Sequence, residues 1–161
     1  MQLPEYDPAY DPVEHLESMG YRLIRHTLRD CWAMTLPQYR RVLWDPRMPK
    51  HMEWPVFGHE DAHVINGDPG GHHPRNEARA DLHTALRNVN PEEWDRLMGI
   101  HHDYDAICLE LRLSRAQFRE YHAHRQREDA RLRRLERYGN ALYLDPKMGA
   151  GQYAARFEGV A

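Results

Sequence analysis

Apolar residues recur at helical spacing over residues 12–33, where Val13, Leu16, Leu23, Ile24, Leu28 and Trp32 predict an amphipathic helix. Pro12 suits its first turn, and Gly20 predicts a kink or a break into two pieces. A shorter helix is predicted over 36–44, capped by Thr35, with Tyr39, Val42 and Leu43 facing inward. The stretch 45–76 has no such period. It holds Pro46, Pro49, Pro55, Pro69 and Pro74 beside Gly58, Gly67, Gly70 and Gly71, and predicts a long irregular connection or a small insert bearing a hairpin. Helical periodicity then returns over 77–88, 91–99, 103–111 and 114–137, the last running to a stop at Gly139. Residues 1–11 predict an extended arm, and 138–161 a tail that folds back or lies loose.

These elements make the chain mainly α, with three regions. Residues 1–76 form an N-terminal helical and irregular region suited to docking a partner, 77–137 a helical unit, and 138–161 a C-terminal tail. Trp32, Tyr39, Trp44 and Trp54, with Met34, Met48 and Met52 between them, concentrate aromatic and thioether side chains in the first region. Such residues fill cores and, where exposed, protein interfaces.

Within the second region, residues 104–122 read as a helix–turn–helix. Ile107 and Leu111 share one face, Leu113 sits in the turn, and Phe118 and Tyr121 continue the apolar stripe. Ser114 is a natural N-cap, and the turn after it carries Arg115, Gln117 and Arg119, which suit phosphates and base edges. Over about residues 82–135 the chain resembles region 4 of the sigma-70 class of transcription initiation factors and its phage-encoded relatives. The resemblance is carried by Leu82, Ala85, Leu86 and Val89, by the run Asn90 to Leu97, and by Ile107, Cys108, Leu111, Leu113, Ser114 and Arg115. Arg112 stands where that family often has Gly. The resemblance implies groove-facing roles for Arg115, Gln117, Arg119 and Glu120, and double-stranded DNA and RNA polymerase as partners.

Composition adds three constraints. The net charge of −3 over 161 residues is not that of a basic protein, but residues 112–137 hold nine Arg against four acids, a local net of +5 that includes Arg125. A positive stripe beginning at the predicted recognition helix is the footprint of a phosphate-binding surface. No apolar run approaches the ~20 residues of a membrane span. Cys31 and Cys108 form neither a metal motif nor a disulfide framework, consistent with a reduced cytoplasm, bacterial or phage-infected.

Histidine is unusually frequent, with 12 copies. His59-Glu60-Asp61-Ala62-His63, followed by a Gly/Pro turn, Asn76 and His83, resembles the HNH nuclease pattern. That resemblance implies His63 as general base, Asn76 as its orienter and His83 as a ligand for a divalent metal such as Mg or Zn. Ala62 occupies the position where that family places another ligand. The same residues allow a zinc site, because a helix would put His59 and His63 on one face. The leading expectation is a DNA-binding transcription regulator without catalytic residues or a cofactor. The alternatives are an HNH endonuclease and a protein-interaction module built on the helix–turn–helix.

Overall fold

The computed structural model describes residues 3–71 and 73–144. It is mainly helical, with one small sheet that the hydrophobic pattern did not predict. The chain divides into two compact units, Met1–His122 and Ala123–Ala161.

Helix α1 spans Pro12–Ser18; the Asp11 side chain accepts from the amides of Val13 and Glu14, and Pro12 presets the first turn. It ends where Gly20 turns left-handed at φ 81°. The predicted 12–33 helix therefore stops after two turns. Leu23 and Ile24 continue instead in strand β1 (Arg22–Arg25), followed by β2 (Ala33–Leu36), a 3-10 turn at Pro37–Tyr39, and β3 (Arg41–Trp44). The sheet order is β1-β3-β2, with β1 parallel and β2 antiparallel to β3. Thr35 thus lies within β2 and does not cap a helix.

Residues 45–76 differ most from expectation. Helix α2 runs over Lys50–Asn66 with Pro55 inside it, and Gly67 closes it in the left-handed conformation at φ 65°. Helix α3 (Pro74–Asn88) follows after a short turn. The downstream helices lie close to the predicted positions: α4 (Pro91–Ile100), α5 (Tyr104–Glu110) and α6 (Arg115–Leu144). Asn90 and Asp103 cap α4 and α5 through their side chains. Helix α6 passes through Gly139 without stopping, so the predicted tail begins as helix; residues 145–161 lie outside the described residues.

Two apolar clusters organise the first unit. Leu16, Ala33 and Val42, with Leu23, Trp44, Val56 and Val64 against them, join α1, the sheet and α2. Ala85, Val89, Trp94, Leu97, Ile107, Leu111, Phe118 and Tyr121 join the end of α3 to α4, α5 and the start of α6. Residue 76, the boundary expected from sequence, lies inside α3, which packs on α2 and whose last turn enters the second cluster. In the second unit α6 continues as a strongly polar helix in which Arg131 pairs with Glu128.

Candidate metal centre

Helix α2 places His59 and His63 one turn apart on the same face, with their rings edge to face and centroids 4.6 Å apart. Their Nε2 atoms stand 2.9 Å from each other. From α3, Glu77 reaches the same point: its Oε2 is 3.1 Å from His59 Nε2, and its Oε1 is 3.6 Å from His63 Nε2. The three ligand atoms lie within 4.8 Å of one another.

The far side of each imidazole is held by a carboxylate. His59 Nδ1 is 2.9 Å from Asp81 Oδ1, and His63 Nδ1 is 2.8 Å from Asp68 Oδ2. Arg79 in turn binds the other oxygen of Asp68. A carboxylate beside Nδ1 puts the ring proton there and leaves the Nε2 lone pair facing the convergence point. Two lone pairs at 2.9 Å repel unless a cation or a proton lies between them. Burial disfavours a charged His59, but the hydrogen bond and charge of Asp81, with the charges of Glu60 and Glu77, outweigh it and push its pKa up to about 9. Two imidazoles, each set by an outer carboxylate, and the Glu77 carboxylate form the donor set of zinc sites that keep a position open for water or substrate.

Glu60 follows His59 in the chain and is buried, with 7% exposure. Its Oε2 accepts a 2.6 Å hydrogen bond from the Thr35 hydroxyl on β2. His59, Glu60, Glu77, Asp81, Trp32 and Cys31 all border one cleft of about 240 Å3.

Of the residues singled out from sequence, the structure brings His59 and His63 together. It does not assemble the HNH arrangement. The hairpin that pattern requires is replaced by helix α2, so His63 lies on α2 while Asn76 and His83 lie on α3. Asn76 accepts a long 3.4 Å contact from Arg79. His83 is buried, its Nδ1 has no hydrogen-bond partner among the described residues, and burial pushes its pKa down. His83 is not part of the convergent group among the described residues.

The helix–turn–helix residues divide. Arg112 takes the left-handed conformation, φ 52°, that a glycine would otherwise supply in the turn. Ser114 and Gln117 cap α6 reciprocally: the Gln117 amide donates to Ser114 Oγ, and the Ser114 amide donates to Gln117 Oε1. Gln117 is 1% exposed, and its Nε2 donates to the Pro55 carbonyl at 2.7 Å. It therefore faces the protein interior, and the groove-reading role expected of it is corrected. Arg115 is exposed but forks onto Asp105 at 2.7 and 2.5 Å. Arg119 is exposed, Glu120 is half-buried, and Arg125 belongs to the second unit.

From sequence, Glu60 figures only as a substitute for the HNH ligand missing at Ala62, and Glu77 is passed over. The signal for Glu60 was local: His-Glu-x-x-His, when helical, puts both histidines on one face with the glutamate beside them. Glu77 has no comparable signature, because only the packing of α3 on α2 brings it in. No protein-family model, curated protein or solved structure matches the chain.

Proposed function

We propose that the protein is a divalent-metal-dependent hydrolase, with zinc as the metal and peptide bonds as the substrate. The observation that carries this reading is the convergence of His59, His63 and Glu77 next to Glu60. Zinc bound there would polarise a substrate carbonyl and acidify water at the open position. Glu60 is the general base: it takes a proton from water as the water oxygen bonds to the carbonyl carbon. It then delivers that proton to the amide nitrogen as the carbon–nitrogen bond breaks, giving a carboxylic acid and an amine.

A peptide is favoured by the sheet beside the cleft. The Asp45 amide donates to the Trp32 carbonyl, so in this antiparallel ladder the bonded pairs continue at Met34–Leu43 and Leu36–Arg41. The backbone groups of Ala33 and Thr35 consequently point away from β3, toward the outer edge of an edge strand. An extended peptide can add there as a further strand. Calorimetry with Zn2+ and cleavage of fluorescent casein test the reading. One zinc per chain is expected, with cleavage abolished in Glu60→Gln although zinc still binds. A wild-type protein that binds no zinc would remove it.

A second reading, a regulator that binds duplex DNA and acts with RNA polymerase, is favoured by the α5–turn–α6 geometry and the left-handed Arg112. Arg115, Arg119 and Arg125 would meet phosphates, giving a log–log salt slope of roughly −3. Absence of any DNA mobility shift at low salt would dismiss it.

A further inference from the structure

We infer that Thr35 is the positioning residue of this site, tying the general base to the strand on which substrate docks. The inference rests on the hydrolase reading above. Three observations meet at this one residue. Its hydroxyl donates to Glu60 Oε2 at 2.6 Å, with both side chains buried. Its side chain faces α2, on the same side of the sheet as its ladder partners Val42 and Leu23, which pack in the cluster beneath. Its backbone amide and carbonyl face the outer edge of β2, where the ladder alternation leaves them for an added strand.

The consequences are geometric. A glutamate side chain has three rotatable bonds, and a base must be held within hydrogen-bond reach of the proton it takes. The Thr35 hydroxyl fixes the carboxylate by occupying Oε2, which leaves Oε1, free of hydrogen bonds among the described residues, as the oxygen that accepts the proton. Substrate backbone hydrogen-bonded to Thr35 is at the same time registered against the residue that holds Glu60. Threonine suits both tasks, since its β-branch restricts χ1 and favours the strand. A valine of the same shape would keep the packing and lose the tether.

The test uses the full chain loaded with Zn2+ and acetohydroxamate as probe, since this small chelator binds a metal through two oxygens while passing a proton to a neighbouring carboxylate. Wild type, Thr35→Val and Thr35→Ser are compared by calorimetry, first for Zn2+ and then for acetohydroxamate. All three are expected to bind Zn2+ alike, because Thr35 touches no ligand. Thr35→Val is expected to bind acetohydroxamate about tenfold more weakly, the size of one lost hydrogen bond to a charged group, and Thr35→Ser to recover most of that. Equal acetohydroxamate affinity in Thr35→Val and wild type would overturn the inference and leave the hydrolase reading standing. So would a Thr35→Ser variant as impaired as Thr35→Val, which would trace the effect to the methyl group, and so would a zinc-loaded wild type that does not bind acetohydroxamate at all. Failure of the wild type to bind Zn2+ would remove the hydrolase reading, and this inference with it.

Discussion

Gly58 on α2 faces Thr84 on α3 so closely that a β-carbon at Gly58 would stand 2.5 Å from Thr84 Cγ2. Thr84 is buried and stiff at χ1, and its hydroxyl is committed to the Ala80 carbonyl at 2.8 Å. The glycine therefore sets how near α3 can come to α2, and so how near Glu77 stands to His59 and His63. Gly58→Ala is expected to destabilise the protein by about 1–3 kcal/mol from overpacking, despite a helix-propensity gain of about 1 kcal/mol. It is also expected to weaken zinc binding. Thr84→Ser removes the offending methyl and keeps the hydroxyl, so the double variant should regain most of both losses. Thermal melts and zinc titrations of the four proteins measure this coupling.

Asp81 and Asp68 touch no metal position, yet each fixes the tautomer and tilt of one imidazole. Replacing either with Ala is expected to lower zinc affinity about 10–100-fold. His59→Ala and His63→Ala should abolish tight binding outright. In the wild type, zinc at a hundred times its dissociation constant should add about 2.7 kcal/mol of stability. A wild-type melting temperature unmoved by zinc would contradict the assignment of the centre.

The helices after residue 74 were legible because their information is local. Val89, Trp94, Leu97, Ile107 and Leu111 repeat at helical spacing, and Asn90, Asp103 and Ser114 mark the starts. The N-terminal half was not legible for the opposite reason. Leu16, Leu23 and Ile24 fit a helical stripe as well as they fit a strand, and what decides is the pairing of Arg22–Arg25 with Arg41–Trp44, a contact remote in sequence. In α2, Pro49, Pro55, Gly58 and Gly67 argued for a loop. In the structure Pro49 precedes the helix and Gly67 ends it, while Pro55 lies within it. Buried residues surround much of α2, including Phe57, Glu60, Asp61 and Ala62, so it shows no single apolar stripe. The helix that puts His59 and His63 on one face is the one that forms, whereas the HNH register of His63 after Ala62 needs a hairpin where α2 stands. Half of the candidate metal centre was thus present in five residues, and the other half depended on a packing that the sequence does not state.

Gln117 separates a structural role from a DNA-reading one. Its amide joins α6 to the Pro55 carbonyl inside α2, and its Oε1 completes the cap with Ser114. Gln117→Ala removes the bond to the Pro55 carbonyl and the side-chain partner of the Ser114 amide, and is expected to cost about 1–3 kcal/mol of stability. Because the side chain cannot reach a base edge, any DNA affinity at a temperature where the variant is folded should be unchanged. Selective loss of sequence preference in a fully stable Gln117→Ala protein would contradict the buried placement.

Asp45 predicts how the fold responds to acid. The carboxylate is 1% exposed. It accepts from the Leu28 amide at 2.8 Å, from the Arg47 amide at 2.8 Å and from the Arg47 guanidinium at 2.9 and 2.7 Å. The side-chain hydrogen bonds from Arg47 dominate burial, which acts in the opposite sense, and with the backbone amides they hold its pKa well below the usual carboxylate range. A carboxyl whose folded pKa is depressed stabilises the fold above its unfolded pKa, about 3.9, and loses that contribution progressively as pH falls toward the folded value. These bonds pin the loop after β1 to the end of β3, directly beside the Cys31 and Trp32 wall of the cleft that His59 and Glu77 border. Asp45→Asn is therefore expected to melt at a lower temperature than wild type at pH 7, with the gap narrowing as pH drops below about 4. A gap that stayed constant from pH 7 to pH 2 would show that the carboxylate's charge contributes nothing there, and that the variant's loss comes from packing alone.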